Sequence, residues 1–388
     1  MEKTRSQTYT LSLLLMNIFI AFLGISLVIP VMPTIMNKLH ISGTVVGYLV
    51  SVFAFTQLIV SPIAGRMADQ FGRKLMIVIG LFLFAVSEFL FGIGNTVYML
   101  FASRVLGGIS AAFVMPAVTA FIADITTLKT RPKALGYMSA AISTGFIIGP
   151  AIGGALAEFG HRIPFFTAAG LGSFAAVLSF ISLREPNRNP ENKTIKMERN
   201  GLKKILSPLF FVPFVIILIS SFGLASFESL FSLFADHKFG FTPGDIAIMI
   251  TGGAIIGAVT QIFLFDRMTI WWGEIRLIRY SLIVSAGLVF LMTVVNSYWT
   301  IMLVTFTVFV GFDLMRPAVT NYLSKIAGDE QGFVGGMNSM FTSLGNVFGP
   351  IVGGMLFDID LNYPFYFATI IIFIGVCLTI FWKEPVKL

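Results

Sequence analysis

The sequence predicts an all-α membrane protein with twelve transmembrane helices in two six-helix, pseudo-symmetric halves. Hydrophobic residues make up 56% of the chain and charged residues 12%, whereas soluble domains average about 45–50% and about 25%. The sequence also repeats itself: GFIIGPAIGGALAEFGHRIPFF, which begins at Gly145, returns from Gly345 as GNVFGPIVGGMLFDIDLNYPFY. A repeat of this kind within apolar sequence predicts two homologous halves embedded in lipid.

The individual helices follow from the apolar stretches, since a bilayer core of about 30 Å needs about 20 apolar residues per helix. A charged segment separates the sixth stretch from the seventh. We therefore predict an N-terminal six-helix bundle (1–183), a cytoplasmic linker (184–205) and a C-terminal six-helix bundle (206–388). The stretches lie near 9–33, 43–64, 75–95, 97–121, 134–157, 164–183, 206–234, 244–265, 276–295, 298–321, 333–357 and 363–382.

The basic residues predict the orientation of the chain. With twelve spans, 21 of the 26 Lys and Arg residues fall in segments on one side, which predicts both termini in the cytoplasm. Because topology accounts for the basic excess, no nucleic-acid partner is expected. The three histidines are scattered in loops, and a lone cysteine, Cys377, allows no disulfide within the chain. No metal site is expected.

The loop after span 2 reads GRMADQFGRK from Gly65. A tight turn between helices explains Gly65 and Gly72, and lipid-facing positions explain part of the charge. Alternatively, Asp69 lies between Arg66 and Arg73 and is placed to form a charge lock with a neighbouring helix end, which a cytoplasmic gate would break and remake.

Span 4 carries an arginine, Arg104, one to two turns into the membrane. It lies on one helical face with Gly107, Gly108, Ala111 and Ala112. Close helix packing explains the small residues. It does not explain a charge inside the bilayer, which is costly and marks a functional site by default.

Span 5 has glycines at four-residue spacing, Gly145, Gly149 and Gly153, with Pro150 and Gly154 beside them. The spacing predicts a close-packed, kinked helix. Such a kink at a helix interface could also serve as a hinge or a seal.

The loop GRMADQFGRK resembles the loop signature of the major facilitator superfamily, and GFIIGPAIGG resembles the signature of its drug/proton antiporters. SFGLASFESLFSLF, FVGFDLMRPAVTNYLSKIAG and GYMSAAISTGFIIGPAIGG extend the resemblance, over essentially the whole chain, to the Bmr- and NorA-type family of bacterial multidrug efflux proteins. The resemblance implies that the protein lies in the bacterial plasma membrane and that Arg104 takes part in proton transfer.

Span 10 presents two rings, an acid and a base on one face, because Phe309, Phe312, Asp313 and Arg316 follow the helical i, i+3, i+4, i+7 pattern. Asp313 and Arg316 could form a structural pair one turn apart. Alternatively, Asp313 is a proton-binding carboxylate tuned by the arginine.

Two further carboxylates fall within spans, Glu88 and Glu228. The resemblance implies that Glu228 and Asp313 couple transport to protons. The role of Glu88 stays open at this point, since it could simply face a partner helix.

The resemblance also implies a mostly apolar cavity lined by aromatic rings, which suits bulky cations through cation–π contacts. With 41 phenylalanines in the chain, only the family match distinguishes these rings from ones that pack or face lipid. The expected lining is Phe22, Ile25, Phe53, Gln57, Phe146, Phe309, Phe312, Ser343 and Asn346.

The expected function is export of lipophilic, often cationic drugs and dyes in exchange for protons, by alternating access. The chain lacks a GxxxxGK[ST] phosphate loop, so neither ATP nor a cofactor is expected, and the protein is not expected to be an enzyme. Its partners are drugs and dyes, protons and the bilayer, and a monomer is expected. The alternative is a proton-coupled carrier of a sugar or other small metabolite, whose cavity would be richer in Asn, Gln and charged groups.

Overall fold

The structure is a computed structural model that describes residues 2–127, 129–186, 208–327 and 331–382. These residues form α-helices joined by short turns, with one 3-10 turn at Ile29–Val31. The helices are α1 (Glu2–Leu27), α2 (Met32–Lys38), α3 (Gly43–Phe71), α4 (Arg73–Ile93), α5 (Val97–Ile125), α6 (Arg131–Ala157), α7 (Ile163–Ser182), α8 (Pro208–Phe239), α9 (Pro243–Trp272), α10 (Glu274–Val294), α11 (Tyr298–Ala327), α12 (Gln331–Phe357) and α13 (Tyr363–Phe381).

Twelve helical segments in the described part of the chain are long and apolar enough to cross a membrane, which confirms the predicted fold class. The first of them joins α1, the 3-10 turn and α2, and every later helix supplies one. Some helices run past the predicted ends; α3, for example, continues to Phe71. The predicted linker from residue 187 onward lies outside the described residues.

The helices group into two compact units, each containing a short segment from the other half of the chain. The predicted domain boundaries stay a prediction. Unit 1 comprises Met1–Ile41, Val52–Lys193 and Thr242–Thr251, and unit 2 comprises Ser42–Ser51, Thr194–Phe241 and Gly252–Leu388.

In unit 1, the spaced glycines of α6 let its backbone lie directly against α1. A Cβ added to Gly149 would lie 3.0 Å from the amide nitrogen of Leu27, and one added to Gly153 would lie 2.8 Å from the carbonyl carbon of Leu27. Ser26 closes the contact by donating a 3.0 Å hydrogen bond to the carbonyl oxygen of Gly145. Only glycine allows this approach at these positions.

Unit 2 repeats the arrangement between α12 and α8. A Cβ on Gly345 would lie 2.6 Å from the backbone nitrogen of Phe222, and one on Gly349 would lie 2.6 Å from its carbonyl oxygen. A Cβ on Gly353 would lie 2.6 Å from Ser226 Oγ. The repeat in the sequence is therefore a repeat of one helix-packing contact.

The second glycine of each Gly-Gly pair faces a different helix. In unit 1, a Cβ on Gly154 would lie 3.2 Å from the carbonyl oxygen of Pro243, at the start of α9. In unit 2, a Cβ on Gly354 would lie 3.0 Å from the carbonyl carbon of Gly43 and 3.1 Å from Thr44 Cα, at the start of α3. Each Gly-Gly pair thus serves two helix contacts at once.

The start of α3 is capped by a carboxylate from elsewhere in unit 2. The amides of Gly43 and Thr44 donate to the two oxygens of Asp358, at 2.6 Å and 2.9 Å. Partial burial acts to raise the pKa of Asp358, but hydrogen bonds from Thr44, Gly43 and Ser42 outweigh it and hold the pKa below its usual value. The carboxylate also matches the positive end of the helix dipole.

Replacing this capping group is expected to loosen the start of α3. In Asp358→Ala, loss of a capping carboxylate costs about 1 kcal/mol, so hydrogen exchange at the amides of Gly43 and Thr44 should rise about fivefold. Because the folded-state pKa is lowered, the stabilisation is complete above the ordinary aspartate pKa and is lost as the pH falls through the lowered value. Exchange mass spectrometry at neutral pH measures the effect. Glu158→Ala is the matched control, since Glu158 holds the corresponding repeat position and is exposed; equal exchange in both variants would contradict the capping role.

Candidate functional site

The turn between α3 and α4 holds part of the predicted charge lock. Gly72 has φ 103°, a conformation that favours glycine. Arg73, the first residue of α4, forms ion pairs with Asp69 at 2.5 Å and with Asp124 near the end of α5 at 3.3 Å. Arg66 is exposed. Asp69 thus contacts the start of the next helix, while the role of this cluster in gating stays a prediction.

Two features of this turn escaped the sequence reasoning. One is Asp124, and the other is Glu185, which follows α7. The carboxylate of Glu185 accepts the backbone N–H groups of Arg73 at 2.5 Å and Lys74 at 2.9 Å, so it caps the N-terminus of α4. A Cβ added to Gly65 would meet nothing within 4 Å, and the predicted role of Gly65 stays a prediction.

Unit 2 has an ion pair at the positions equivalent to Arg73 and Asp124, with the acidic and basic residues exchanged. Gly273, with φ 75°, precedes Glu274, the first residue of α10. Glu274 forms an ion pair with Lys325 of α11 and accepts a 2.9 Å hydrogen bond from Asn321. Glu274 and Lys325 each lie 201 positions after their counterparts Arg73 and Asp124.

The small residues on α5 bring it close to α3. A Cβ on Gly108 would lie 2.6 Å from the carbonyl oxygen of Phe53 and 3.2 Å from the amide nitrogen of Gln57, and one on Gly107 would lie 3.1 Å from the Phe53 ring. The contact therefore positions two of the predicted lining residues, both partly buried. Arg104 lies one turn earlier on α5.

Two more lining residues meet where α1 packs on α6. The rings of Phe22 and Phe146 lie 5.2 Å apart with an interplanar angle of 59°. Phe146 keeps 39% of its surface exposed, and Ile25, on the next turn of α1, is partly buried. Phe146 follows Gly145 directly, so the close glycine contact brings its ring to α1.

In unit 2, the glycines of α9 accommodate side chains from α11. A Cβ on Gly257 would overlap the carboxylate of Asp313, and one on Gly253 would meet the ring of Phe309. The sequence reasoning named Asp313 and Phe309 but missed the glycines that receive them. Their spacing in TGGAIIGA, which begins at Thr251 of α9, is the available signal.

The two predicted rings of α11 belong to an aromatic cluster centred on Phe227 of α8. The Phe227 ring lies 6.0 Å from that of Phe309, in an edge-on geometry, and 6.3 Å from that of Phe312. Both Phe309 and Phe312 are buried here. Phe227 directly precedes Glu228 in α8, so that acid adjoins the cluster along the chain.

The acidic and basic groups of unit 2 interact at longer range. Glu228 is exposed midway along α8, and the charges of Arg316 and Asp313 both act on it. Asp313 is partly buried and feels the charge of Arg316. Within the described part of unit 2, no hydrogen bond or ion pair joins Asp313 to Arg316. The arrangement places two carboxylates and one guanidinium beside aromatic rings inside membrane-spanning helices, where ionisable groups usually serve proton or substrate pathways.

The last two predicted lining residues lie on α12. Ser343 is partly buried and Asn346 is exposed. Asn346 follows Gly345 and so occupies the repeat position of Phe146. The structure brings the predicted residues of each unit together in small groups, and their roles in binding stay predictions.

The sequence profile of the Major Facilitator Superfamily matches residues 14–264 and 213–388. The chain belongs to this superfamily. Its two overlapping matches cover both halves of the repeat. The predicted superfamily is thereby confirmed, and the protein is a multi-pass membrane protein of a transporter family.

The chain is also similar to two named relatives and, in fold, to one solved structure. The chain is 74% identical to Multidrug resistance protein 1 of Bacillus subtilis (strain 168) over 388 residues, 100% of this chain and 99% of that protein. It is 46% identical to the Quinolone resistance protein NorA of Staphylococcus aureus over 368 residues, 95% of each chain. The predicted resemblance to bacterial multidrug efflux proteins of the Bmr and NorA type is confirmed. The fold of this chain is similar to the crystal structure of a bacterial homologue of the human lysosomal transporter Spinster. The TM-score is 0.81 at 15% sequence identity, and the match covers 96% of both chains.

Proposed function

We propose that the protein exports lipophilic, often cationic drugs and dyes in exchange for protons by alternating access. The observation that carries this proposal is the group formed by Asp313, Glu228 and Arg316 beside the aromatic cluster of unit 2. The names of the relatives at 74% and 46% identity support a drug as substrate. Aromatic rings and carboxylates together suit a bulky organic cation, because both attract positive charge without strict directionality.

In the proposed cycle, a lipophilic cation enters from the cytoplasm while Asp313 and Glu228 are deprotonated and balance its charge. The carrier then opens outward, and protons that bind the two carboxylates help to displace the cation. The empty, protonated carrier returns and releases the protons inside. Drug and proton compete for the same acids, so exchange needs neither ATP nor a cofactor.

The remaining assignments complete the proposal. The protein lies in the bacterial plasma membrane with both termini in the cytoplasm and works as a monomer. Arg104 takes part in proton transfer, and Gly65, Arg66, Asp69, Gly72 and Arg73 form one gating element. The second gating element is the α6 segment Gly145, Gly149, Pro150, Gly153 and Gly154.

Transport of ethidium by the purified protein in liposomes tests the proposal. With the lumen more acidic than the outside, exchange drives ethidium into vesicles through the molecules whose cytoplasmic side faces out. We expect accumulation that needs the gradient, stops when a proton/potassium exchanger collapses it, and needs no ATP. Folded protein that accumulates no ethidium under the gradient, but exchanges a sugar or another metabolite, would contradict drug export.

A further inference from the structure

Unit 1 contains a buried ion pair between Arg104, to which a part in proton transfer is assigned above, and Glu88, which has no assigned role. Glu88 of α4 is 2% exposed and lies 3.9 Å from the guanidinium of Arg104 on α5, whose side chain is 13% exposed. The guanidinium also lies 4.4 Å from the centre of the Phe91 ring. Glu88 lies five residues before the end of α4 and Arg104 seven residues after the start of α5, so the pair is about 8–11 Å along the helices from the α4–α5 turn.

Several hydrogen-bonding atoms of this pair have no hydrogen-bond partner among the described residues. Glu88 Oε2 and the Nε and Nη2 atoms of Arg104 are buried without a hydrogen-bond partner among the described residues. The separation of 3.9 Å is also too long for a hydrogen bond. A buried ion pair with unsatisfied atoms gives little net stability, because desolvation of the two charges offsets their attraction. Its presence therefore calls for a reason other than folding.

The helices do not depend on this pair for their contact. Ser87 donates a 2.8 Å hydrogen bond to the carbonyl oxygen of Ser103, and Ser103 donates a 2.9 Å hydrogen bond to that of Ser87. The two hydroxyls join α4 to α5 directly beside Glu88 and Arg104. Phe165 of α7 stacks on Phe91, with ring centres 4.8 Å apart. Among the described residues, Arg104 is the only charged side chain that acts electrostatically on Glu88.

We propose that Glu88 is the positioning residue for Arg104 in drug–proton exchange. Ionised Glu88 holds the guanidinium over Phe91. A proton that enters from water and binds Glu88 removes this restraint, so the guanidinium can move toward another acceptor; release of the proton restores the pair. The inference rests on the proposed exchange and adds a proton-responsive pair in unit 1 to the carboxylates of unit 2.

The test compares Glu88→Gln and Glu88→Asp with the wild type in the liposome assay across a range of pH. We expect Glu88→Gln to lower the maximal rate of gradient-driven transport at least about fivefold, the lower end of typical coupling between linked sites, and to flatten its pH profile. Ethidium binding to the detergent-solubilised protein should change little, because Glu88 is buried and is not among the predicted lining residues. Glu88→Asp, which keeps the charge, should restore part of the rate. A wild-type rate and pH profile in Glu88→Gln would overturn the proposal.

A purely structural pair would behave differently in the double variant Glu88→Gln/Arg104→Gln. Removing both charges avoids a lone buried charge, so the thermal unfolding temperature should recover even if the single variant is unstable. We expect transport to stay low in the double variant. Recovery of stability and transport together would show that the pair only serves packing, and would overturn the proposal.

Infrared spectroscopy decides the role of Glu88 even if ethidium is not the substrate. Titration of the wild type should reveal a carboxylic acid C=O band that is missing from Glu88→Gln, and the band should shift when Arg104→Lys changes its neighbour. Absence of such a band at any pH where the protein is folded would overturn the proposal. Failure of ethidium transport in the wild type, by contrast, would count against the proposed function alone.

Discussion

Replacing Asp313 by Asn and Glu228 by Gln together is expected to reduce gradient-driven ethidium transport to the rate of protein-free liposomes. The amides cannot take up or release a proton in the working pH range, so proton movement can no longer drive the cycle. They also remove both counter-charges for a cation. Asn has the shape of Asp, so it fits against Gly257 as the native side chain does, and the variant should fold. The measurement is the initial rate of dye accumulation under an imposed pH gradient.

Asp266→Asn is the matched control for this experiment. Asp266 lies near the end of α9 and is exposed, so the same chemical change there should leave the transport rate near that of the wild type. The single variants Asp313→Asn and Glu228→Gln then show how much each carboxylate contributes to the loss of transport. A folded double variant that accumulates ethidium at the wild-type rate would exclude both carboxylates from coupling.

Replacing Gly153 by Val is expected to prevent correct packing of α1 against α6. The added side chain would meet the backbone of Leu27 rather than a flexible side-chain tip, so the two helices would have to separate. Overpacking of a well-packed interior costs about 1–3 kcal/mol and sometimes more. Separation would also break the hydrogen bond from Ser26 to the carbonyl of Gly145. We expect a several-fold lower yield of monodisperse protein and a lower unfolding temperature in detergent.

Gly170→Val is the control, because Gly170 lies in the membrane-spanning helix α7 with nothing within 4 Å of an added Cβ. This variant should keep the wild-type yield and unfolding temperature. If Gly153→Val matched it in both measurements, the close contact between α1 and α6 would not be needed for folding. Wild-type stability with lost transport would instead assign Gly153 to movement rather than to packing.

The helices and the repeat could be read from the sequence because their signals are local. Each span is a continuous apolar stretch, so its position follows from composition alone. The glycines of α6 recur at the helical period and therefore predicted a close helix contact. Their partner, the backbone around Leu27, could not be predicted, since a backbone contact leaves no mark on side-chain type.

The missed polar contacts join residues far apart in the chain. Arg73 reaches Asp124 over 51 positions, and its amide reaches Glu185 over 112 positions. Helical periodicity relates residues three or four positions apart, so it carries no information at those distances. Glu88 and Arg104 are an intermediate case: both were noticed as charges within spans, but only the antiparallel packing of α4 and α5 brings them together.

The candidate site in unit 2 combines a local pattern with contacts between helices. The sequence pattern places Phe309, Phe312, Asp313 and Arg316 on one face of α11, and their roles stay predictions. It did not reveal that Gly253 and Gly257 make room for this face, or that Phe227 is the ring on which Phe309 and Phe312 pack. Those facts depend on which helices become neighbours, and hydropathy does not specify neighbours.

The exchanged signs of the Arg73–Asp124 and Glu274–Lys325 pairs bear on how the nascent chain assembles. Duplicated halves can misassemble when a helix docks on the copy of its true partner, a common failure of repeated folds. Here α4 on α11 would set Arg73 against Lys325, and α10 on α5 would set Glu274 against Asp124. Both wrong dockings bring like charges together, whereas both correct ones bring opposite charges together. The exchanged signs of the two pairs therefore disfavour docking of α4 or α10 on the wrong half.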